Sequence, residues 1–200
     1  MDCSKPSSPK TKLWAGGCAL RRFHAALRRF FIARGPFPGM ENRMNTQSLT
    51  RGAIIAALYA ALTLLLAPIS YGEVQIRIAE ALTLLPVLMP EAVPALVIGC
   101  LIANILGGCT VLDIVFGSLA TLLAALCTRA LRRNLLAASA MPVIFNGLIV
   151  GAVVHVAYAP AIPLPLCMLF VAAGEIVSAM LLGRIVLRAL IRLPDRMLHS

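Results

Sequence analysis

Apolar segments separated by short polar stretches make up the sequence from residue 52 onward. Within the segments Ala, Leu, Ile and Val follow one another in continuous runs, which is typical of membrane-spanning helices of roughly 20 residues. Proline, glycine or clustered charge ends each run and predicts a turn. Six helices are predicted, at about 52–69, 78–89, 92–107, 111–128, 135–157 and 166–191.

The composition supports this interpretation. Of the 200 residues 60% are hydrophobic and only 13% are charged, and the mean hydropathy is +0.90. A soluble domain is about 45–50% apolar and about 25% charged, so a soluble fold would have too little charge to cover its surface. The sequence therefore predicts an all-α integral membrane protein with six transmembrane helices, which is multi-pass and contacts the lipid bilayer.

The positive charge lies at the two ends of the chain. Residues 1–51 carry +8 of the formal +10 and residues 184–200 carry +3, whereas residues 52–183 sum to −1. Basic ends of membrane proteins face the cytoplasm and anionic lipid. Six spans place both termini on the same side as the basic turn 129–134. We therefore expect cytoplasmic N- and C-termini in the plasma membrane, and no nucleic-acid partner.

The first 43 residues form a separate basic arm, and residues 44–200 form the membrane domain. Residues 20–32 place apolar and arginine side chains on different helical faces, a pattern typical of a helix that lies on a membrane surface. Met40 and Met44 stand just before the first apolar segment. The alternative is therefore that the gene start is over-extended and that translation begins at one of these methionines.

The sequence carries no signature of catalysis or metal binding. Its six cysteines and three histidines are scattered without ligand spacing, which predicts no metal and no cofactor. It contains no H-E-x-x-H or G-x-S-x-G motif and no GxxxxGK[ST] phosphate-binding loop. We therefore expect a protein that is not an enzyme and that does not itself hydrolyse ATP.

Polar side chains interrupt the apolar segments at several positions. An ionisable group within a spanning helix costs at least about 2.5 kcal/mol and is a functional candidate by default. In the six-helix arrangement these groups converge near the outer side, as a solute site open to the outside requires. Arg77 and Glu80 are predicted to share a helical face. The candidate substrate-binding residues are Tyr71, Gln75, Arg77, Glu80, Asn104, Asp113, Asn146 and Glu175.

A purely structural role is the alternative for several of these residues. Arg77 would form an intramembrane ion pair with an acidic neighbour, and Asp113 would cap the fourth helix. Asn146 would satisfy backbone groups freed by the proline of the fifth helix. Tyr71 and Tyr158 would anchor the protein at the membrane interface.

Small residues recur every fourth position along the first helix. One row consists of Gly52, Ala56 and Ala60, and a second row consists of Ala53, Ala57 and Ala61. Such rows let another helix approach closely. They predict a partner inside the membrane, docked through Ala53, Ala56, Ala57 and Ala60.

Residues 71–86, YGEVQIRIAEALTLLP, resemble the QueT-type queuosine-precursor transporters, whose pattern is roughly YGxxQxRxxEALTxLP. The likeness extends over about residues 44–192 and includes the stretches 90–92, 99–104, 113–121, 146–151 and 174–175. The arm at 1–43 lies outside it.

The resemblance implies the substrate-binding S component of an energy-coupling factor transporter. Such a protein takes up a vitamin-like solute, here a 7-deazaguanine such as pre-queuosine, while a separate transmembrane coupling subunit and two ATPase subunits drive transport. The small residues of the first helix would dock the coupling subunit. The alternative is a self-sufficient, proton-coupled secondary transporter that uses Glu80 or Glu175 as its proton site.

Overall fold

The computed structural model describes residues 46–67 and 77–192. Every regular element in these ranges is a helix, which confirms the all-α class and the six helices. The basic arm lies outside the described residues, and the orientation of the helices and termini in the membrane stays a prediction. The elements are α1 (Thr46–Leu65), a 3-10 helix (Ile78–Val87), α2 (Ala92–Leu106), α3 (Val111–Ala130), α4 (Leu135–Ala157) and α5 (Leu164–Ile191).

Four of the six helices are long and apolar enough to cross a bilayer. Helices α1, α3, α4 and α5 contain 20 to 28 residues, with mean hydropathies between 1.6 and 2.1. Helix α2 has 15 residues and the 3-10 helix only 10. At a rise of about 2.0 Å per residue, the 3-10 helix is too short to cross a hydrocarbon core of about 30 Å. In the described part of the chain it is therefore a short buried helix and not one of the full-length spans.

The 3-10 helix occupies the centre of the bundle. Seven of its ten residues are buried, and it contacts all five other helices. Pro86 lies inside it and lacks the backbone N–H that a regular α-helix would use. Gly183 of α5 allows a close approach, because a Cβ there would lie 3.1 Å from the carbonyl oxygen of Ala81. Residues of this helix are thus within reach of side chains from every other element.

Helices α1 and α2 are in close backbone contact. A Cβ at Gly99 would lie 2.8 Å from the carbonyl oxygen of Ala56 and 2.9 Å from the Cβ of Tyr59. Ala56 and Ala60 are consequently buried at 7% and 8% exposure. Helix α1 therefore uses one of its two rows of small residues inside the chain.

The second row of small residues on α1 is exposed. Ala53, Ala57 and Ala61 lie on the outward face of the helix. The two rows differ in sequence only by one position, yet they have different neighbours. The predicted docking surface is therefore available at Ala53 and Ala57, whereas Ala56 and Ala60 are already packed against α2.

Helices α4 and α5 each contain a π-helical segment, at Asn146–Val150 and Ile176–Leu182. Such segments are rare and are frequent at functional sites. The two helices also approach closely, because a Cβ at Gly151 would lie 2.6 Å from the Cα of Met168. The π-helical segments begin at Asn146 and directly after Glu175, so both polar residues lie where the helical repeat changes.

We predict that Gly99→Ala destabilises the protein by about 1–3 kcal/mol, because the added methyl group overpacks the α1–α2 contact. Thermal unfolding of the purified protein in detergent measures this. Gly52→Ala is the matched control, since its Cβ would meet Ala95 and Glu91 only at 3.8 Å. Both variants replace glycine by alanine within a helix, so both gain the same helix propensity. Equal unfolding midpoints of the two variants would therefore contradict the close contact at Gly99.

Candidate functional site

The buried polar residues come from all parts of the bundle. The buried acidic and basic residues among those described are Arg77, Glu80, Asp113 and Glu175, and each is between 0 and 4% exposed. The cost of burying such groups requires partners of opposite charge or hydrogen bonds. Their contacts define the site.

Arg77 forms an ion pair with Asp113, in which the Nη2 and Oδ2 atoms are 3.5 Å apart. Arg77 has an extended backbone and immediately precedes the 3-10 helix, whereas Asp113 lies in the first turn of α3. The amide of Asn104, near the end of α2, donates to the carbonyl oxygen of Asp113 at 3.3 Å. Three separate elements thus meet at this ion pair.

The turn between α2 and α3 positions Asp113. Gly108 has a φ of +69°, a left-handed conformation that glycine adopts without steric cost. Thr110 caps α3, because its hydroxyl accepts a hydrogen bond from the Asp113 backbone N–H at 3.4 Å. The cap of α3 is therefore Thr110, which leaves the Asp113 carboxylate for Arg77.

Tyr158, directly after α4, joins the same group of residues. Its hydroxyl accepts from the Thr110 N–H at 3.1 Å and donates to Asp113 Oδ2 at 3.4 Å. Partial burial raises the pKa of Tyr158, so the phenol stays protonated and keeps its donor. The side chain links the ends of two helices beside the ion pair, a role beyond interface anchoring.

Glu80 has a different partner. Tyr59 of α1 is fully buried, and its hydroxyl donates to Glu80 Oε1. Sequence reasoning did not select Tyr59. The available signal was a phenol in the middle of an apolar segment, because a buried tyrosine hydroxyl normally finds a hydrogen-bond partner.

Glu175 and Asn146 connect α5 with α4. The Asn146 amide donates to Glu175 Oε1 at 2.8 Å. Asn146 therefore holds the Glu175 carboxylate through its side chain and joins the two helices where their π-helical segments begin.

Cys100 of α2 is hydrogen-bonded to two of the buried polar side chains. Its sulfur accepts long hydrogen bonds from the Thr121 hydroxyl at 3.4 Å and from the Asn104 amide at 3.6 Å. No group of three potential metal-ligating side chains occurs in the described ranges. The site consists of carboxylates, amides, hydroxyls, one thiol and one guanidinium.

The structure buries six of the eight predicted binding residues in the bundle, in three groups held by hydrogen bonds or an ion pair, and two lie outside the described residues. Arg77 pairs with Asp113 rather than with Glu80, because it precedes the 3-10 helix and does not share a helical face with Glu80. The buried residues are Arg77, Glu80, Asn104, Asp113, Asn146 and Glu175, and those outside are Tyr71 and Gln75.

Several oxygens in this region have no hydrogen-bond partner among the described residues. Buried polar atoms are nearly always hydrogen-bonded, so such oxygens are available to a ligand. The unpartnered acceptors are Glu80 Oε2, Asn104 Oδ1, Asp113 Oδ1, Asn146 Oδ1 and Glu175 Oε2.

These features define a class of protein: a helical membrane protein in which buried polar side chains lie among apolar helices. The profile of the family described as QueT transporter matches residues 49–192. The chain belongs to this family of transporters, which confirms the family indicated by the motif at 71–86.

A curated relative supports the same assignment. The chain is 38% identical over 82 residues to the queuosine precursor transporter QueT of Lactococcus lactis subsp. cremoris (strain MG1363). The aligned part covers 40% of this chain and 48% of that relative, so it spans about half the relative's length. No solved structure shows significant similarity to the chain.

Tyr59→Phe is expected to destabilise the protein by about 1–3 kcal/mol, because it leaves a buried carboxylate oxygen without its donor. Thermal unfolding in detergent measures the loss. Thr63→Val is the matched control on α1, since the Thr63 hydroxyl donates only to the Tyr59 carbonyl oxygen of the same helix. The double variant Tyr59→Phe with Glu80→Gln should recover part of the loss. Strict additivity of the two changes would contradict a direct Tyr59–Glu80 interaction.

Proposed function

We propose that this protein binds a queuosine precursor of the 7-deazaguanine type from outside the cell and is the S component of an energy-coupling factor transporter. The observation that carries the proposal is the set of buried, unpartnered acceptor oxygens in a bundle that also buries one guanidinium, that of Arg77. The printed name of the Lactococcus relative supports the substrate class.

The donor and acceptor groups of the site match those of a guanine-like base. Such a base presents adjacent N–H donors, which suit a carboxylate, and a neighbouring carbonyl, which suits an arginine. Glu80 has one oxygen fixed by Tyr59 and the other without a partner. Glu80 is therefore our candidate for the base-reading carboxylate, with Arg77 as the donor to the carbonyl.

The remaining candidates would complete the binding site. Asn104 and Asn146 each carry an unpartnered amide oxygen and are fixed by hydrogen bonds from their nitrogens. Tyr71 and Gln75 belong to the motif at 71–86 and are proposed as further contacts on that basis alone.

Energy for transport would come from other subunits. The sequence has no phosphate-binding loop of the ATPase type, so we propose a transmembrane coupling subunit and two ATPase subunits in the plasma membrane. The exposed row of α1 offers the closest approach to a partner helix, because Ala53, Ala57 and Ala61 lack bulky side chains.

Glu80→Gln should weaken ligand binding. The change replaces one acceptor by a donor, and hydrogen bonds to charged groups contribute about 1.5–3 kcal/mol. This corresponds to a roughly 10- to 150-fold higher Kd, measured with a radiolabelled 7-deazaguanine and the purified protein. Glu91→Gln is the control, because Glu91 starts α2 at its opposite end and pairs with Arg51 at 4.0 Å.

Loss of binding together with loss of folded protein would contradict the base-reading role of Glu80. In that case Glu80 would be required for folding, as the acceptor of the Tyr59 hydroxyl. Unchanged binding in Glu80→Gln would also overturn the assignment.

Replacing Ala53 and Ala57 by Leu should abolish ATP-driven uptake while ligand binding to the isolated protein stays intact. The control is Ala173→Leu, which places the same bulk on an exposed position of α5. Full uptake by the α1 variant would place the partner elsewhere. Uptake by the protein in cells without any coupling subunit would favour a self-sufficient carrier instead.

A further inference from the structure

The last turns of α5 extend beyond the length that the hydrocarbon core of a bilayer requires. Helix α5 contains 28 residues and is about 42 Å long at a rise of about 1.5 Å per residue. The hydrocarbon core is about 30 Å thick and the bilayer with its headgroups about 40–45 Å. Residues 164–183 are long enough to span the core and contain Glu175 as their one charged residue. We therefore expect Arg184 and Arg188, which follow, at the level of the lipid headgroups.

Arg184 is held against α4 by a hydrogen bond. Its Nε atom donates to the Ser139 hydroxyl at 3.1 Å, and that hydroxyl donates to the Leu136 carbonyl oxygen at 3.0 Å. The bond uses one of the five N–H donors of a guanidinium. The four others of Arg184 have no hydrogen-bond partner within the described ranges, and the Arg188 side chain is exposed one turn further along α5.

The two arginines have no acidic partner in the part of the chain that the structure describes. Of the acids in these ranges three are buried, and Glu91 pairs with Arg51 at 4.0 Å. Residues 193–200 add Asp195 and Arg196, and so no net negative charge. The positive charge of Arg184 and Arg188 is therefore open to an anion from outside the chain.

Exposed apolar side chains lie on the same face of α5 as these arginines. Leu181 and Ile185 are 56% and 62% exposed. Residues 181, 184, 185 and 188 are three or four positions apart, so they share one helical face. A soluble anion would contact only the arginines of this face, whereas an amphipathic molecule would contact its basic and its apolar part together.

We propose that an anionic phospholipid binds to this face of α5, with its phosphate at Arg184 and Arg188 and its acyl chains along Leu181 and Ile185. Arginine suits this role because its planar guanidinium donates two parallel hydrogen bonds to a phosphate. Ser139 fixes the Arg184 guanidinium before the lipid arrives, which reduces the entropy lost on binding. The inference is independent of the solute that the protein transports.

The proposal is tested with the full-length protein purified in a neutral detergent. One arginine near anionic lipid contributes roughly fivefold in affinity. We therefore expect phosphatidylglycerol to bind about 25-fold more tightly than phosphatidylcholine with the same acyl chains. Native mass spectrometry of the protein with each lipid measures the two Kd values, and inorganic phosphate serves as the soluble anion.

Two double variants locate the site. Arg184→Gln with Arg188→Gln should reduce the preference for phosphatidylglycerol to less than threefold. Arg132→Gln with Arg133→Gln is the matched control, because it removes the same charge from exposed positions in the turn before α4. The control should keep the preference within about threefold of that of the unmodified protein. Should the first double variant not fold, Arg188→Gln alone replaces it, with an expected loss of roughly fivefold.

Four results would overturn the proposal. Equal affinities for the two lipids would exclude recognition of the headgroup charge. Displacement of phosphatidylglycerol by millimolar inorganic phosphate would show a site for soluble anions instead. Equal losses in both double variants would reduce the effect to net charge. Tighter binding of a polyglutamate peptide than of phosphatidylglycerol would indicate an acidic protein segment as the occupant.

Discussion

A charge buried among apolar helices must be compensated, and this requirement organises the centre of the protein. Isolated carboxylates or guanidinium groups are too costly in a medium without water, so each is held by a side chain from another helix. The contacts are Arg77 with Asp113, Tyr59 with Glu80, and Asn146 with Glu175. Together they join α1, the 3-10 helix, α3, α4 and α5. The same contacts that satisfy the polar groups therefore also determine which helices are neighbours.

Small residues make these contacts geometrically possible. In lipid the association of helices depends on close packing and on interhelical hydrogen bonds rather than on a hydrophobic driving force. Gly99 lets α2 approach α1, Gly151 lets α4 approach α5, and Gly183 lets α5 approach the 3-10 helix. The short 3-10 helix is then surrounded by the other five. Because it is central, Glu80 in its first turn is close to residues that are distant in the sequence.

The two buried glutamates are only partly hydrogen-bonded by the described residues. In both Glu80 and Glu175 one carboxylate oxygen is fixed by a hydrogen bond, while the other has no partner among the described residues. A carboxylate held in this way loses little rotational freedom when a ligand binds, which favours affinity. The exposed alanines of α1 lie on the opposite face of the helix from Tyr59, which contacts Glu80. The proposed ligand site and the proposed docking surface therefore use different faces of one helix.

The sequence by itself determined the class of protein, the six helices and most of the polar candidates. Continuous apolar runs identify helices in lipid whatever their neighbours are, and a charge within such a run is informative because its burial is expensive. The motif at 71–86 also indicated the family. Only the tertiary structure decided that Arg77 pairs with Asp113, that Tyr59 belongs to the site, and that Ala57 rather than Ala56 faces outward. The helical repeat cannot tell which of two adjacent rows of alanines faces outward, because the rotation of each helix depends on contacts with residues far away in the chain.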